Sequence, residues 1–440
     1  MEGPLWKKII LFALPLAVTG FLQQLFSSAD IAALGRGVSA EAMAAVGATV
    51  PMVNLNLNMF IGLSVGATVV IAHLLGEGRN ERVEGAVHSG MLLSVLAGIL
   101  VCGVDYVIAE PVLRWMDTSE PLLGLALEYL YVYFLSVPFL MVFNFGAAVL
   151  RAKGETKRPL FCLAVACFSN IGLNALCVQS LGWGVQGIAA ATVVSNALST
   201  ALLLLFMLRD PSEVGIRPRL LRLERATTEK ILRIGLPAAL QGMVYSFSNI
   251  IIQSAINSLG HAAIAASAIA LNYEMWGFFL LNSFGQACVA FNGLCYGARE
   301  FERCREVTRC CLWLNLLVTN GILFTVLIFP DYFISFFTAD RSLYALTTLR
   351  LFIVLGPEGI NICSETFASA MRGWGYSLVP ALISIFGICV VRVIYVYTVF
   401  AARPDFGVLM SVYPLTWVVT ASSLFAAYHY VRKNFLAVRK

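Results

Sequence analysis

The stretch Pro15–Gly35, PLAVTGFLQQLFSSADIAALG, is apolar almost throughout, yet it carries one acid, Asp30, and one helix-disturbing residue, Pro15. The apolar run extends over residues 8–34, and a helix needs about 20 residues to cross a bilayer. Lys7 and Lys8 ahead of the run imitate a signal peptide. The run is too long for a signal core and no clear small-residue cleavage site interrupts it, so it reads as an uncleaved first span. A carboxylate inside such a helix costs a few kcal/mol on insertion scales and reads by default as functional.

The rest of the chain has the same character. Of its 440 residues 59% are hydrophobic and only 12% charged, and its mean hydropathy is +0.81. A soluble domain carries roughly a quarter charged residues, so membrane embedding is expected throughout. Twelve apolar segments can be marked: 8–34, 43–75, 86–108, 121–150, 159–180, 184–208, 228–258, 262–294, 305–329, 342–371, 377–400 and 407–431. Backbone groups inside a bilayer must be satisfied within their own segment, so these are predicted helices. The fold class is all-α integral membrane.

Charge placement supports that count. With the N-terminus inside, the inner ends hold 24 of the 30 Lys and Arg residues, and the outer loops hold four: Arg36, Arg114, Arg341 and Arg403. Such an asymmetry sets orientation and predicts cytoplasmic termini in a cell membrane. It also explains the net charge of +5 without nucleic acid. The 11 cysteines show no CxxC and no ligand spacing, so they read as small buried hydrophobes. No P-loop, GxSxG or HExxH is present. ATP-driven transport and enzyme chemistry therefore have no motif behind them, and no cofactor is expected.

The chain repeats itself. Pro15-Leu-Ala-Val-Thr-Gly20 matches Pro237-Ala-Ala-Leu-Gln-Gly242; Gly66 to Gly78 with Arg79 and Arg82 matches Gly285 to Gly297 with Arg299 and Arg303; Leu150-Arg-Ala-Lys-Gly154 with Pro159 matches Met371-Arg-Gly-Trp-Gly375 with Pro380. Three ordered blocks at an offset near 220 define a duplication. Six spans per half make the repeats parallel, a build that places substrate between the halves. The expected organisation is a six-helix lobe over 1–208, a cytoplasmic linker over 209–227 and a second six-helix lobe over 228–440, around a central cavity.

These blocks, with Ala44-Ala-Val-Gly-Ala-Thr-Val-Pro51, Gly62-Leu-Ser-Val-Gly66 and Gly76-Glu-Gly78, carry a resemblance over roughly residues 8–431. The sequence resembles the multidrug and toxic compound extrusion transporters, of the bacterial multidrug-efflux branch. The resemblance implies two six-helix lobes and export of organic, often cationic, compounds in exchange for Na⁺ or H⁺. It implies that an acid on helix one and polar residues on helix five hold the coupling ion. Some members have a second acid where Asn174 stands, which leaves the ion open.

Depth points to the same residues. Asp30 lies about 7 Å below the outer end of span one, and Asn174 and Thr192 about 12 Å below the outer surface. Asn170 and Asn174 are i,i+4 and share a helix face. Oxygen ligands suit a hard cation, and a lone carboxylate can carry a proton. Asp30, Asn170, Asn174 and Thr192 form the candidate ion site, with Asn144 as a further member and Asp30 as the metal ligand if the ion is Na⁺. The amides and the hydroxyl read equally well as interhelical glue. The repeat counterpart of Asp30 is Ile252, so this coupling site is confined to the first lobe. Pro15 and Pro237 are candidate hinges.

In the second half, Glu274 and Glu358 lie near mid-membrane and are candidates for attracting a cationic substrate; the competing reading is internal pairing with Arg350 or Arg392. Asn54, Asn58, Tyr273 and Trp276 join them as candidate cavity residues, although amides and aromatics on a membrane helix also read as packing. Asp105 and Glu128 read as interfacial. The expected partners are small organic substrates, the coupling cation and the bilayer, with the chain a monomer. Two other readings compete: a flippase for polyprenyl-linked saccharides, and a non-transporting membrane receptor.

Overall fold

The protein was analysed as a computed structural model that describes residues 4–116 and 118–437. Arg439, Lys440 and the side chain of Arg36, all part of the charge asymmetry, lie outside it. Twelve long helical segments run through the described residues. In the first half they are α1 (Leu5–Gly37), α2 (Ala40–Gly76), α3 (Asn80–Trp115), α4 (Glu120–Ala152), α5 (Lys157–Val178) and α6 (Gly184–Leu208). In the second they are α7 (Arg225–Ser258), α8 (His261–Gly297), α9 (Phe301–Ile328), α10 (Arg341–Gly373), α11 (Leu378–Phe400) and α12 (Phe406–Lys433).

Eleven of them are long and apolar enough to cross a membrane. The twelfth, α7, is a 34-residue helix. Its outer half carries Ser246, Ser248, Asn249, Gln253, Ser254 and Asn257, which dilute its hydropathy without breaking it. Pro15 and Pro237 sit inside α1 and α7. A proline there removes one i→i−4 hydrogen bond and favours a bend.

The repeat reappears as packing. In the first half α2 packs on α3 and α4, α4 on α6, and α5 on α6; in the second α8 packs on α9 and α10, α10 on α12, and α11 on α12. Adding six to each helix number converts one list into the other. The repeated Leu150–Gly154 and Met371–Gly375 blocks have a backbone reason. Gly154 and Gly375 both adopt left-handed φ, 90° and 89°, where a side chain would be strained. Each ends a helix just before the next begins.

Two compact units emerge, Val18–Arg233 and Met1–Ala17 with Ile234–Lys440. Their boundaries differ from the expected division at the start of each lobe. Residues 1–17 group with the second lobe because Ile9, Phe12, Ala13 and Leu16 join a buried cluster with Phe284, Cys288, Met371, Trp374 and Tyr428. The start of α7, through Arg233, groups with the first lobe.

The 209–224 linker is fastened to the first lobe. Asp210 pairs with Arg158 at 2.6 Å and with Lys153 at 3.6 Å. The Arg217 amide donates to His88 Nε2 at 2.8 Å, so the His88 proton sits on Nδ1, which faces the Glu84 carbonyl at 2.6 Å. Ser89 Oγ donates to the Arg222 carbonyl and accepts from the Glu224 amide, each at 3.0 Å.

Candidate functional site

Three helices of the first lobe bring Asp30, Asn170, Asn174 and Thr192 together. α1 supplies Asp30, α5 supplies the two asparagines one turn apart, and α6 supplies Thr192. All four are buried, with Asp30 5% exposed and Asn170 fully enclosed. Asn174 Nδ2 donates to Asp30 Oδ1 at 2.7 Å and to Asn170 Oδ1 at 3.1 Å. Asn170 Nδ2 donates to Thr192 Oγ1 at 3.4 Å. Thr192 Oγ1 lies 2.9 Å from Asp30 Oδ2 and 3.0 Å from the Ile188 carbonyl; its single proton serves one of the two. The four side chains thus close a ring.

Among the described residues no Lys, Arg or His pairs with Asp30; its partners are neutral amides and a hydroxyl. A buried carboxylate so placed favours a bound cation or a proton over the bare ionised form. One acceptor is also left over: the buried Asn174 Oδ1 has no hydrogen-bond partner. Asn174 turns Nδ2 toward Asp30, so its Oδ1 would join the Asp30 oxygens and Thr192 Oγ1 in the all-oxygen set that a hard cation takes only once the amide turned over. Tyr129 and Tyr133, both buried and with rings stacked 5.8 Å apart, stand within electrostatic reach of Asp30. Their spacing in an apolar run reads as packing, and nothing in the sequence singles them out.

Asn144 does not enter the ring. It donates to the Leu140 carbonyl of its own helix at 2.8 Å, which satisfies the amide locally. Asp105, expected at the interface, is instead buried at 3% exposure and accepts from Asn56 Nδ2 at 2.8 Å. The reason is that α3 continues ten residues past Asp105, to Trp115, so the acid sits within the packed helix rather than near its end. Glu128 is exposed, as expected.

The candidates in the second lobe fall into separate clusters. Glu274 receives two parallel hydrogen bonds from Arg350, Nε at 2.6 Å and Nη2 at 2.9 Å. That is the internal pairing weighed against a substrate role, realised in fork geometry. Buried Glu358 accepts from Asn361 at 2.9 Å. Tyr273 is 2% exposed and donates to the Phe333 carbonyl at 2.7 Å. Trp276 packs edge-on against its ring at 5.2 Å. Both are packing residues here, in a cluster with Leu323, Ile334 and Leu351. Asn54 is exposed, and Asn58 donates back to its carbonyl at 3.0 Å.

Comparison with known proteins accounts for this architecture. The MatE family model matches residues 15–176 and again 237–398. The chain belongs to the MatE family. The two matches start 222 residues apart and end 222 residues apart (15 to 237, 176 to 398), so the matched unit occurs once in each half and spans its first five helices. As a MatE protein the chain is a multi-pass membrane protein of the multidrug-efflux transporters. It is 26% identical over 440 residues to the probable multidrug resistance protein YoeA of Bacillus subtilis, covering 98% of this chain and 94% of that one. It is 27% identical over 392 residues to the probable multidrug resistance protein NorM of Thermotoga maritima, covering 88% and 84%. Among solved structures, an outward-facing multidrug resistance MATE transporter superposes with a TM-score of 0.90 at 21% identity, over 99% of this chain and 97% of that one. A MATE in complex with MaL6 superposes at 0.91 with 20% identity, over 99% and 98%.

Proposed function

We propose that this MatE chain exports organic compounds, many of them cationic, from the cell by antiport against Na⁺ or H⁺, with Asp30 as the coupling carboxylate. The observation that carries the reading is the Asp30 ring: a buried acid with neutral partners, no protein cation and an unpartnered amide oxygen beside it. A proton would occupy one Asp30 oxygen and leave Asn174 and Thr192 bonded to the other groups of the ring. Na⁺ would draw on Asp30, Thr192 Oγ1 and, once its amide turned over, Asn174 Oδ1. Either cation removes the charge that the helices enclose at a cost of a few kcal/mol. The state of the site therefore shifts the balance between conformations that enclose Asp30 and conformations that wet it. Coupling follows if that balance is also the one between inward and outward access of the two lobes, with Pro15 and Pro237 absorbing the bend. We place the protein in the cell membrane as a monomer, both termini in the cytoplasm, in keeping with its Lys and Arg distribution.

The test is dye efflux from proteoliposomes under an imposed Na⁺ or H⁺ gradient, with an ethidium-type cation. Wild type should show flux driven by one of the two gradients. Asp30→Asn, which keeps the hydrogen-bonding shape but not the charge, should lose at least about tenfold of the driven component. Coupled flux unchanged in Asp30→Asn overturns the role of Asp30, and no driven flux of any cation tested overturns the antiport reading.

A further inference from the structure

The 222-residue offset of the two family matches lets the ion site of the first lobe be followed into the second. Asp30 maps to Ile252, Asn174 to Val396 and Asn170 to Arg392. The mapped positions come together in space: Ile252 and Val396 are buried in one cluster with Phe400, Met410 and Val412. Where the first lobe has a carboxylate hydrogen-bonded to an amide, the second has an aliphatic contact. Where the first has the Asn170 amide, the second has a guanidinium.

That guanidinium is built in but not balanced. Arg392 is 6% exposed. Its Nη1 donates to Asn249 Oδ1 at 3.1 Å, the ring of Tyr413 covers it at 4.6 Å, and its Nε has no partner. No carboxylate among the described residues pairs with it. The nearest ion pair engages other groups: Glu274 is held by both Nε and Nη2 of Arg350. Glu358, the remaining buried acid of the region, is bonded to Asn361 and lies within electrostatic reach of Glu274. Asn249 itself is exposed and gives an approach to the guanidinium. The helix is irregular at this place as well: Arg392 lies on a single α-helical turn, Val391–Tyr395, between π-helical turns at Ile385–Val390 and Val396–Phe400, a local geometry that recurs at functional sites.

We infer that Arg392, with Asn249 and Tyr413, forms an anion-binding subsite in the second lobe that takes the carboxylate of an organic solute. The fork of a guanidinium matches a planar carboxylate in two parallel hydrogen bonds, and the stacked ring fixes its plane. The Tyr413 ring beside the guanidinium favours a carboxylate carried on an aromatic ring. The two lobes then use equivalent positions with opposite polarity, for a cation in the first and a carboxylate in the second. The inference gives the proposed transporter a substrate class beyond organic cations, and to that extent it rests on the transport reading. Its test is binding alone.

Radiolabelled benzoate is titrated onto the purified full-length protein, with methyl benzoate and benzylammonium as competitors of matched shape. Saturable benzoate binding is expected. Methyl benzoate, which lacks the charge, should compete at least about tenfold more weakly, and benzylammonium not at all. Arg392→Gln should weaken benzoate by at least about tenfold and Arg392→Lys by less, because the charge remains without the fork. The ester comparison uses wild type only, so the test stands even if Arg392→Gln fails to fold. Equal competition by the ester, or wild-type affinity in a folded Arg392→Gln, overturns the subsite. Saturable binding of labelled inorganic phosphate with no benzoate binding shows an inorganic anion site and overturns the carboxylate assignment. Gradient-driven dye efflux that persists in a protein without benzoate binding refutes only this inference; benzoate binding without driven efflux refutes only the antiport reading.

Discussion

Asp30 and Glu274 are both acids inside membrane helices, and their surroundings separate them. Glu274 has a fork of two hydrogen bonds from Arg350, and the pair is almost fully enclosed, with side chains 11% and 3% exposed. Removing one member leaves the other as an uncompensated buried charge. Glu274→Gln should therefore destabilise the protein by about 3 kcal/mol, whereas Glu274→Gln with Arg350→Met should recover most of that loss. Thermal unfolding in detergent checks both; a single variant that melts with wild type, or a double variant worse than the single, would contradict the pairing. Asp30 behaves oppositely, since its neighbours supply hydrogen bonds but no charge. This difference could not be read from residue type. Glu274 and Arg350 lie 76 residues apart, and only packing of α8 on α10 makes them partners.

At the level of elements, the linker is the segment whose attachment titrates. Burial by itself would raise the Asp210 carboxyl. Hydrogen bonds from Ser212 and Arg158, with the charge of Lys153, outweigh it and hold the group well below the usual carboxylate range. A depressed native value contributes stability that is complete above the ordinary value near 4 and is lost as pH falls below it. Hydrogen-exchange protection of residues 209–217, corrected for the intrinsic rate, should hold from about pH 8 to about pH 5 and decline below about pH 4. Asp210→Asn should lack protection across the whole range. Protection that persists in that variant would show that the His88 and Ser89 contacts hold the linker unaided. Helix positions were legible because apolar length and basic flanks repeat twelve times. Depth was less so: Asp105 reads as interfacial only if α3 ends soon after it, and the helix runs on to Trp115.

At the scale of the whole molecule, one scaffold is used twice with different contents. The helix pairings of the two lobes agree, while Asp30 and Asn174 give way to Ile252 and Val396, and Asn170 to Arg392. Ile252→Asp restores the acid at the mapped position, where it should satisfy Arg392 internally. Benzoate binding should then fall at least about tenfold in a folded protein, and binding equal to wild type would show that the two positions are not equivalent in space.

The sequence by itself determined the class, the twelve helical segments, the duplication and the first three members of the Asp30 ring. Each of these is written in local pattern: apolar runs, flanking charge, a fixed offset, one acid at odds with its helix and two amides one turn apart. Thr192 came from depth alone, and Asn144, the further candidate, turns its amide back to its own helix. The tertiary structure decided which polar groups meet. It closed the ring around Asp30, left Asn174 Oδ1 without a partner, joined Glu274 to Arg350 and left Arg392 without an acid. The physical reason is that hydrogen bonds and ion pairs are short-ranged and directional, so their partners depend on how helices distant in sequence pack, whereas the hydrophobic length of a span is a property of the segment alone.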